Sequence, residues 1–208
     1  MPKPNRARRA LVIATVAGAF ASRVQLASAQ AAAPVRLRGT IETLGPDRLA
    51  LRQRSGDLVE LALPANLVVT EAFPVAFSDI LPNSFIGSGA VPQPDGTQRA
   101  IAVLVFPESM RGTGEGHRPF DFLPQSTMTN ATVAGVVAAP DGRRLRVAYP
   151  GGEQTILVPA DTPIYSLKPG ARDLLVPGAQ VSVTSQLVDG KPTATRITAG
   201  RNGFATPY

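Results

Sequence analysis

The densest concentration of reactive side chains lies between Pro107 and Thr129, where Glu108, Arg111, Glu115, His117, Arg118 and Asp121 are interleaved with Gly112, Gly114 and Gly116. Such a segment has two physical uses. Glycines let the backbone curl around a ligand while Arg111 and Arg118 grip an anionic group through paired guanidinium hydrogen bonds. In the other use, the charges satisfy one another and fasten a solvated connection across a seam. The six charged residues form the candidate ligand-binding set.

His117 is the single histidine of the chain, which has no cysteine. Glu115, His117 and Asp121 would together offer carboxylate and imidazole ligands to zinc or a similar ion. As a base, His117 would serve Ser109 or Ser126 in a hydrolytic site. These combinations define the alternative reading, a metal-dependent or hydrolytic enzyme centred on the linker histidine. Against it, Gly87-Ser88-Gly89 is not a Gly-x-Ser-x-Gly elbow. Nor does the chain contain Ser-x-x-Lys, a Gly-rich phosphate loop or His-Glu-x-x-His. The sequence therefore favours a non-catalytic binding protein with no metal and no cofactor.

A second charged cluster arises from strand parity. If the first hairpin turns near Gly45-Pro46, equal parity puts Arg38 opposite Arg52 or Arg54, with Arg36 beside them on the outward face. Glu60 on the next strand has the parity to sit beside Arg52 and partly neutralise it, as on an ordinary solvated face. These strands carry no aromatic platform of the kind that single-stranded nucleic acid binders use. Phe73, Phe77 and Phe85 fall near the fourth strand, where packing is their expected role.

The elements that must position these residues are read from a repeat. Val35 to Phe106 and Ala131 to Thr198 run in parallel, with ordered landmarks. Pro46-Asp47 matches Pro140-Asp141, and Leu63-Pro64-Ala65-Asn66 matches Val158-Pro159-Ala160-Asp161. Asp79 to Pro82 matches Leu174 to Pro177, and Asp95-Gly96 matches Asp189-Gly190. Within each repeat the apolar residues alternate with period two: Val35, Leu37, Gly39 and Ile41 face one way, and so do Val181, Val183, Ser185 and Leu187. Turn residues punctuate the strands at Gly45-Pro46-Asp47, Ser55-Gly56-Asp57, Asp95-Gly96, Asp141-Gly142 and Gly151-Gly152. About five strands per repeat, with a short helical turn near Asp79 and its counterpart, suit a small closed barrel of the oligonucleotide/oligosaccharide-binding (OB) type. A single sandwich made from both repeats is the other arrangement that fits.

The repeat pattern and the run FPESMRGTGEGHRPFD from Phe106 to Asp121 resemble a group of exported proteobacterial proteins that carry a domain of unknown function with an OB-like fold. The resemblance covers most of the chain beyond its N-terminal segment. It implies OB-like barrels in tandem and brings no mechanism with it.

Lys3, Arg6, Arg8 and Arg9 precede an uncharged run from Ala10 to Ser22, and Ala27-Ser28-Ala29 supplies small residues for cleavage. That order predicts a secretory signal, cleaved after Ala29, with the mature chain starting at Gln30 and working in the periplasm. The uncharged run is shorter than the roughly 20 apolar residues a membrane span requires. Five of the 21 basic residues and none of the 15 acidic ones precede Gln30, which leaves 16 against 15 and a mature charge of +1. The high isoelectric point thus belongs to the signal, and a nearly neutral protein lacks the field that drives nucleic-acid binding through counterion release. The expected organisation is all-β, with two tandem small OB-like five-stranded barrels after a cleavable signal peptide. Its boundaries are 1–29 signal, 30–106 first barrel, 107–129 charged Gly/Pro-rich linker and 130–208 second barrel. Its expected partner is an envelope ligand or protein of anionic character, with no transmembrane segment in the mature chain.

Overall fold

The computed structural model describes residues 33–139, 142–205 and 207. The expected signal, its cleavage after Ala29 and the Pro140-Asp141 landmark lie outside these residues. The described chain is all-β, and its helical content is three single 3-10 turns. No described helix is long and apolar enough to cross a membrane.

Six strands precede the linker: β1 (Val35–Leu44), β2 (Arg48–Gln53), β3 (Leu58–Ala62), β4 (Val68–Pro74), β5 (Phe85–Pro92) and β6 (Gln98–Val105). One short strand, β7 (Gly116–Pro119), forms within it. Six more follow: β8 (Thr127–Ala139), β9 (Gly142–Tyr149), β10 (Gly152–Val158), β11 (Ile164–Pro169), β12 (Gln180–Val188) and β13 (Lys191–Gly200). The 3-10 turns at Phe77–Asp79 and Arg172–Leu174 overlap the matched landmarks only at Asp79 and Leu174 and lie between the fourth and fifth strands of the two repeats, each of which has six described strands rather than about five.

Strand pairing departs from one barrel per repeat. A closed five-stranded barrel runs β10-β9-β8-β5-β6 and closes through the parallel pairs Ile156↔Gln98 and Leu157↔Arg99. Three of its strands come from the second repeat and two from the first. The order recurs in β3-β2-β1-β12-β13, where β13 meets β3 in parallel at Thr193↔Ala62. Here three strands come from the first repeat and two from the second. Each ring thus draws strands from both sides of the linker, each repeat contributing its last hairpin to the other. Between the rings, β4 and β11 pair with each other antiparallel, and each also runs parallel to the last strand of a repeat.

The period-two pattern fills each ring. Ile86, Val133, Leu145, Val147 and Ile156 are fully buried in one core, and Ile41, Leu49, Leu51, Val183 and Ile197 are fully buried in the other. Removing such a side chain from water contributes about 1.5 to 3 kcal/mol. Both cores mix residues from both repeats, so neither half holds a complete core. Alternation continues past the barrel ends, where Val35 and Leu187 stand exposed.

Candidate functional site

The segment expected to be a flexible linker is built into the sheet. β7 pairs antiparallel with the start of β8, His117 opposite Thr129 and Arg118 opposite Met128. This places β7 on the edge of β8 that β9 takes up from Thr132 onward. Thr127 to Thr129, assigned to the linker from sequence, already belong to β8.

The six candidate residues take separate local roles. Glu108 accepts two hydrogen bonds from Arg111, from Nε at 2.6 Å and from Nη2 at 2.7 Å. Arg111 Nη2 also donates to the Asn83 carbonyl at 2.9 Å, and its guanidinium lies 6.0 Å from the Phe85 ring centre. These hydrogen bonds and charges hold the Glu108 carboxyl below its ordinary range and raise the Arg111 guanidinium. Arg118 Nη1 donates to the Gly114 carbonyl at 2.6 Å. Glu115 is exposed, and its charge adds to the raising of Arg111. His117 Nδ1 lies 2.8 Å from Thr129 Oγ1, and its ring stacks on Tyr149.

Asp121 stands apart from the other five and faces β1 of the β3-β2-β1-β12-β13 ring. It accepts from Arg38 Nη2 at 3.0 Å and from Arg38 Nη1 at 3.3 Å, a two-point carboxylate pairing. Glu115, His117 and Asp121 are therefore not gathered around one point. Among the described residues, no group of three or more His, Cys, Asp or Glu side chains is placed to hold a metal ion. Ser126 Oγ donates within its own turn, toward the Phe120 and Leu123 carbonyls at 2.9 and 2.8 Å, and accepts from the Leu123 amide at 3.0 Å. Its proton serves the turn rather than His117. Ser109 is exposed at the start of the segment.

The arginine cluster read from strand parity does assemble, with one partner changed. Thr40 lies opposite Arg52, and Gly39 opposite Gln53. Continuing that register sets Arg38 beside Arg54, while Arg36 and Arg38 face Thr184 and Ser182 on β12. Arg52 pairs with Glu42 rather than with the expected Glu60, which sits opposite Ala50. Glu42 shares the outward face of β1 with Arg38 and Thr40, and Thr40 lies directly opposite Arg52. The Glu42 carboxyl is held below its ordinary range, chiefly by the hydrogen bonds from Arg52.

Over these strands lies an open groove of about 350 Å³, walled by Arg38, Thr40, Arg52, Arg54 and Gln180 and floored by Gly39, Gln53 and Val181. Gly39 is required there. A Cβ at that position would stand 2.1 Å from the Arg52 carbonyl oxygen, so the close approach of β1 and β2 admits only glycine.

The sequence shows no aromatic platform on these strands, yet the structure brings one to them from the linker. Phe120 and Phe122 stack with ring centres 6.1 Å apart. The Arg38 guanidinium sits 5.5 and 5.9 Å from their centres, and that of Arg54 lies 4.8 Å from Phe122. Cation–π contact backs both guanidinium groups from one side. The Phe-Asp-Phe triplet was the available signal, but nothing in its spacing tells which strand it meets.

Arg38 is the least exposed of these cations, with 14 % of its side chain accessible, whereas Asp121 is 67 % exposed. The Nε–H of Arg38 is buried and has no hydrogen-bond partner. The Arg38 guanidinium lowers the Asp121 carboxyl below its ordinary range through its hydrogen bonds, with a smaller charge contribution from Arg36. A larger hollow of about 500 Å³ lies between Asp173–Gln180 and Gly200–Phe204. Its charged members are paired: Arg201 bridges Asp173 and the buried Glu71, which also meets Lys168. None of the six linker residues lines either hollow.

Comparison with family models, curated proteins and solved structures finds no match to this chain.

Proposed function

We propose that the protein is a non-catalytic binding module of the cell envelope, exported to the periplasm, and that it takes an anionic ligand at the Arg38 groove. The observation that carries this reading is the Arg38 guanidinium, largely buried at the wall of an open groove with one N–H unused. A buried polar group without a partner costs stability, and a ligand atom that satisfies it recovers that cost. Arg54 and Arg52 place two more positive groups around the same space. Export is supported by the basic, apolar and Ala-Ser-Ala order of the N-terminus.

Each ring follows an OB-like strand order in which the first three strands of one repeat are completed by the last two of the other. This reading places two OB-like barrels in one chain by exchange of hairpins rather than in simple tandem. The groove then lies on an outer strand face, where barrels of this type commonly bind extended ligands. Of the linker residues, Asp121 touches the binding face only through its pairing with Arg38, and Glu108, Arg111 and Arg118 brace the segment before it.

A non-catalytic role is favoured over an enzyme centred on His117 because that imidazole is engaged by Thr129 and Tyr149 and Ser126 Oγ donates to backbone. The test is calorimetric titration of the mature protein with a charged and a neutral oligosaccharide, repeated for the Arg38→Gln, Arg54→Gln double variant. Salt-sensitive binding of the charged probe that the double variant loses is the expected result. Equal binding by both proteins, or none by either, would remove the groove from consideration.

A further inference from the structure

Resting on the reading of the groove as an anion site, we propose that its ligand is a carboxylate-bearing polysaccharide that exchanges with Asp121 on Arg38, so that the Asp121 carboxylate is an internal partner displaced on binding while Phe120 and Phe122 stay against the guanidinium groups. The structure already contains one carboxylate on this site. Asp121 meets Arg38 through both of its oxygens and both terminal nitrogens of the guanidinium, the geometry in which a planar carboxylate is held best. A carboxylate from outside would find the same two donors, with Nε–H and Arg54 in addition.

The two partners are unequal in burial, and that inequality makes exchange feasible. Arg38 is fixed between strand and aromatic rings, whereas Asp121 is mostly in water and sits in a loop closed by Ser126. Releasing Asp121 returns an exposed carboxylate to solvent and breaks no strand pairing, because β7 ends at Pro119 and β8 begins at Thr127. The cost of releasing Asp121 falls on the largely buried Arg38, and an incoming carboxylate offsets it by taking the same two donors.

Two further features fit a sugar acid more closely than a single small anion. The groove crosses β12, β1 and β2, and neighbouring strands lie about 4.8 Å apart, so the arginines on β1 and β2 meet charges repeated along an extended chain. Thr40, Gln53 and Gln180 supply neutral donors and acceptors between them, suited to hydroxyl groups. A single-stranded nucleic acid is the competing polymer. The group that the structure places on Arg38 is a carboxylate rather than a phosphodiester, and Phe120 and Phe122, the rings on which bases would stack, are engaged by the Arg38 and Arg54 guanidinium groups.

The experiment uses the mature protein and three probes of equal length: hexagalacturonate, an oligothymidylate hexamer and neutral maltohexaose. Affinities are measured for the native chain and for Asp121→Asn, Arg38→Gln and Arg54→Gln, each with a thermal melt. Hexagalacturonate is expected to bind in preference to the other two. Asp121→Asn should tighten that binding about tenfold, the effect of freeing one charge-assisted pairing, with Tm unchanged. Arg38→Gln and Arg54→Gln should each weaken it about tenfold or more, the Arg54 variant remaining informative if Arg38→Gln does not fold. Tight hexagalacturonate binding that Asp121→Asn leaves unchanged would overturn the exchange while leaving the groove as an anion site. Preference for oligothymidylate would overturn the carboxylate assignment. Failure of both anions to bind would instead remove the anion site itself.

Discussion

Cutting the chain between Arg111 and Gly112 should leave two fragments that hold together and cannot fold apart. Both residues are exposed, and the cut spares β7, which stays with β8 in the second fragment. Separation would open both cores. The first fragment keeps Ile41, Leu49, Leu51 and Leu61 but loses Leu175, Val181, Val183 and Ile197, against which they pack. The second keeps Val133, Leu145, Val147 and Ile156 but loses Ile80, Ile86 and Val103. At about 1.5 to 3 kcal/mol for each large apolar side chain returned to water, losing three or four partners exposes their neighbours as well and costs each fragment on the order of 10 kcal/mol. Net stabilities of whole domains are about 5 to 15 kcal/mol, so neither fragment should retain a cooperative fold. The assay is a protease site inserted at this position, followed by native size exclusion, denaturation, separation and individual refolding. Cleaved protein should elute at the intact mass, and each fragment alone should lack a cooperative melt. A monomeric first fragment with native β-type circular dichroism and a sharp transition would refute the exchange and restore one barrel per repeat.

Other changes have equally definite outcomes. Leu51→Ala removes a fully buried side chain from the core of the β3-β2-β1-β12-β13 ring and should cost about 2 to 5 kcal/mol in urea unfolding. Gly39→Ala forces a Cβ against the Arg52 carbonyl, and the clash should cost at least ~1 to 3 kcal/mol and weaken binding at the groove. Asp121, held below its ordinary range by Arg38 with Arg36 nearby, ties down its loop above the ordinary carboxylate pKa of about 4. That tie should be lost as pH falls through the lowered value. Phe120 and Phe122 amide shifts should report the transition, and Asp121→Asn should abolish it. Glu71→Gln should lower Tm, because Glu71 is the buried carboxylate that Lys168 and Arg201 share.

Much of the fold could be read along the chain because period two is a local property. Ile41, Leu51, Val181 and Val183 announce their inward face through their immediate neighbours, and the matching 3-10 turns follow from matching landmarks. Which strand closes which ring is not local. The two repeats present the same inward apolar face, so periodicity alone does not say whether β6 meets β10 or β3. The groove was legible in part for the same reason. Parity gathers Arg36, Arg38, Arg52 and Arg54 and puts both Glu42 and Glu60 within choice of Arg52, but it does not say which of the two carboxylates Arg52 takes. The approach of Phe120 and Asp121 to Arg38 spans 83 positions between the paired charges, and no periodicity reaches that far.

The central claim, that ligand is held at the Arg38 groove rather than along the charged linker, is tested most directly by amide chemical-shift mapping of the mature protein titrated with hexagalacturonate. Saturable shifts are expected at Arg38, Gly39, Thr40, Gln53 and Arg54, with Asp121 and Phe122 moving at the same midpoint. Shifts confined to the stretch from Glu108 to Arg118, with the groove amides unmoved, would contradict it.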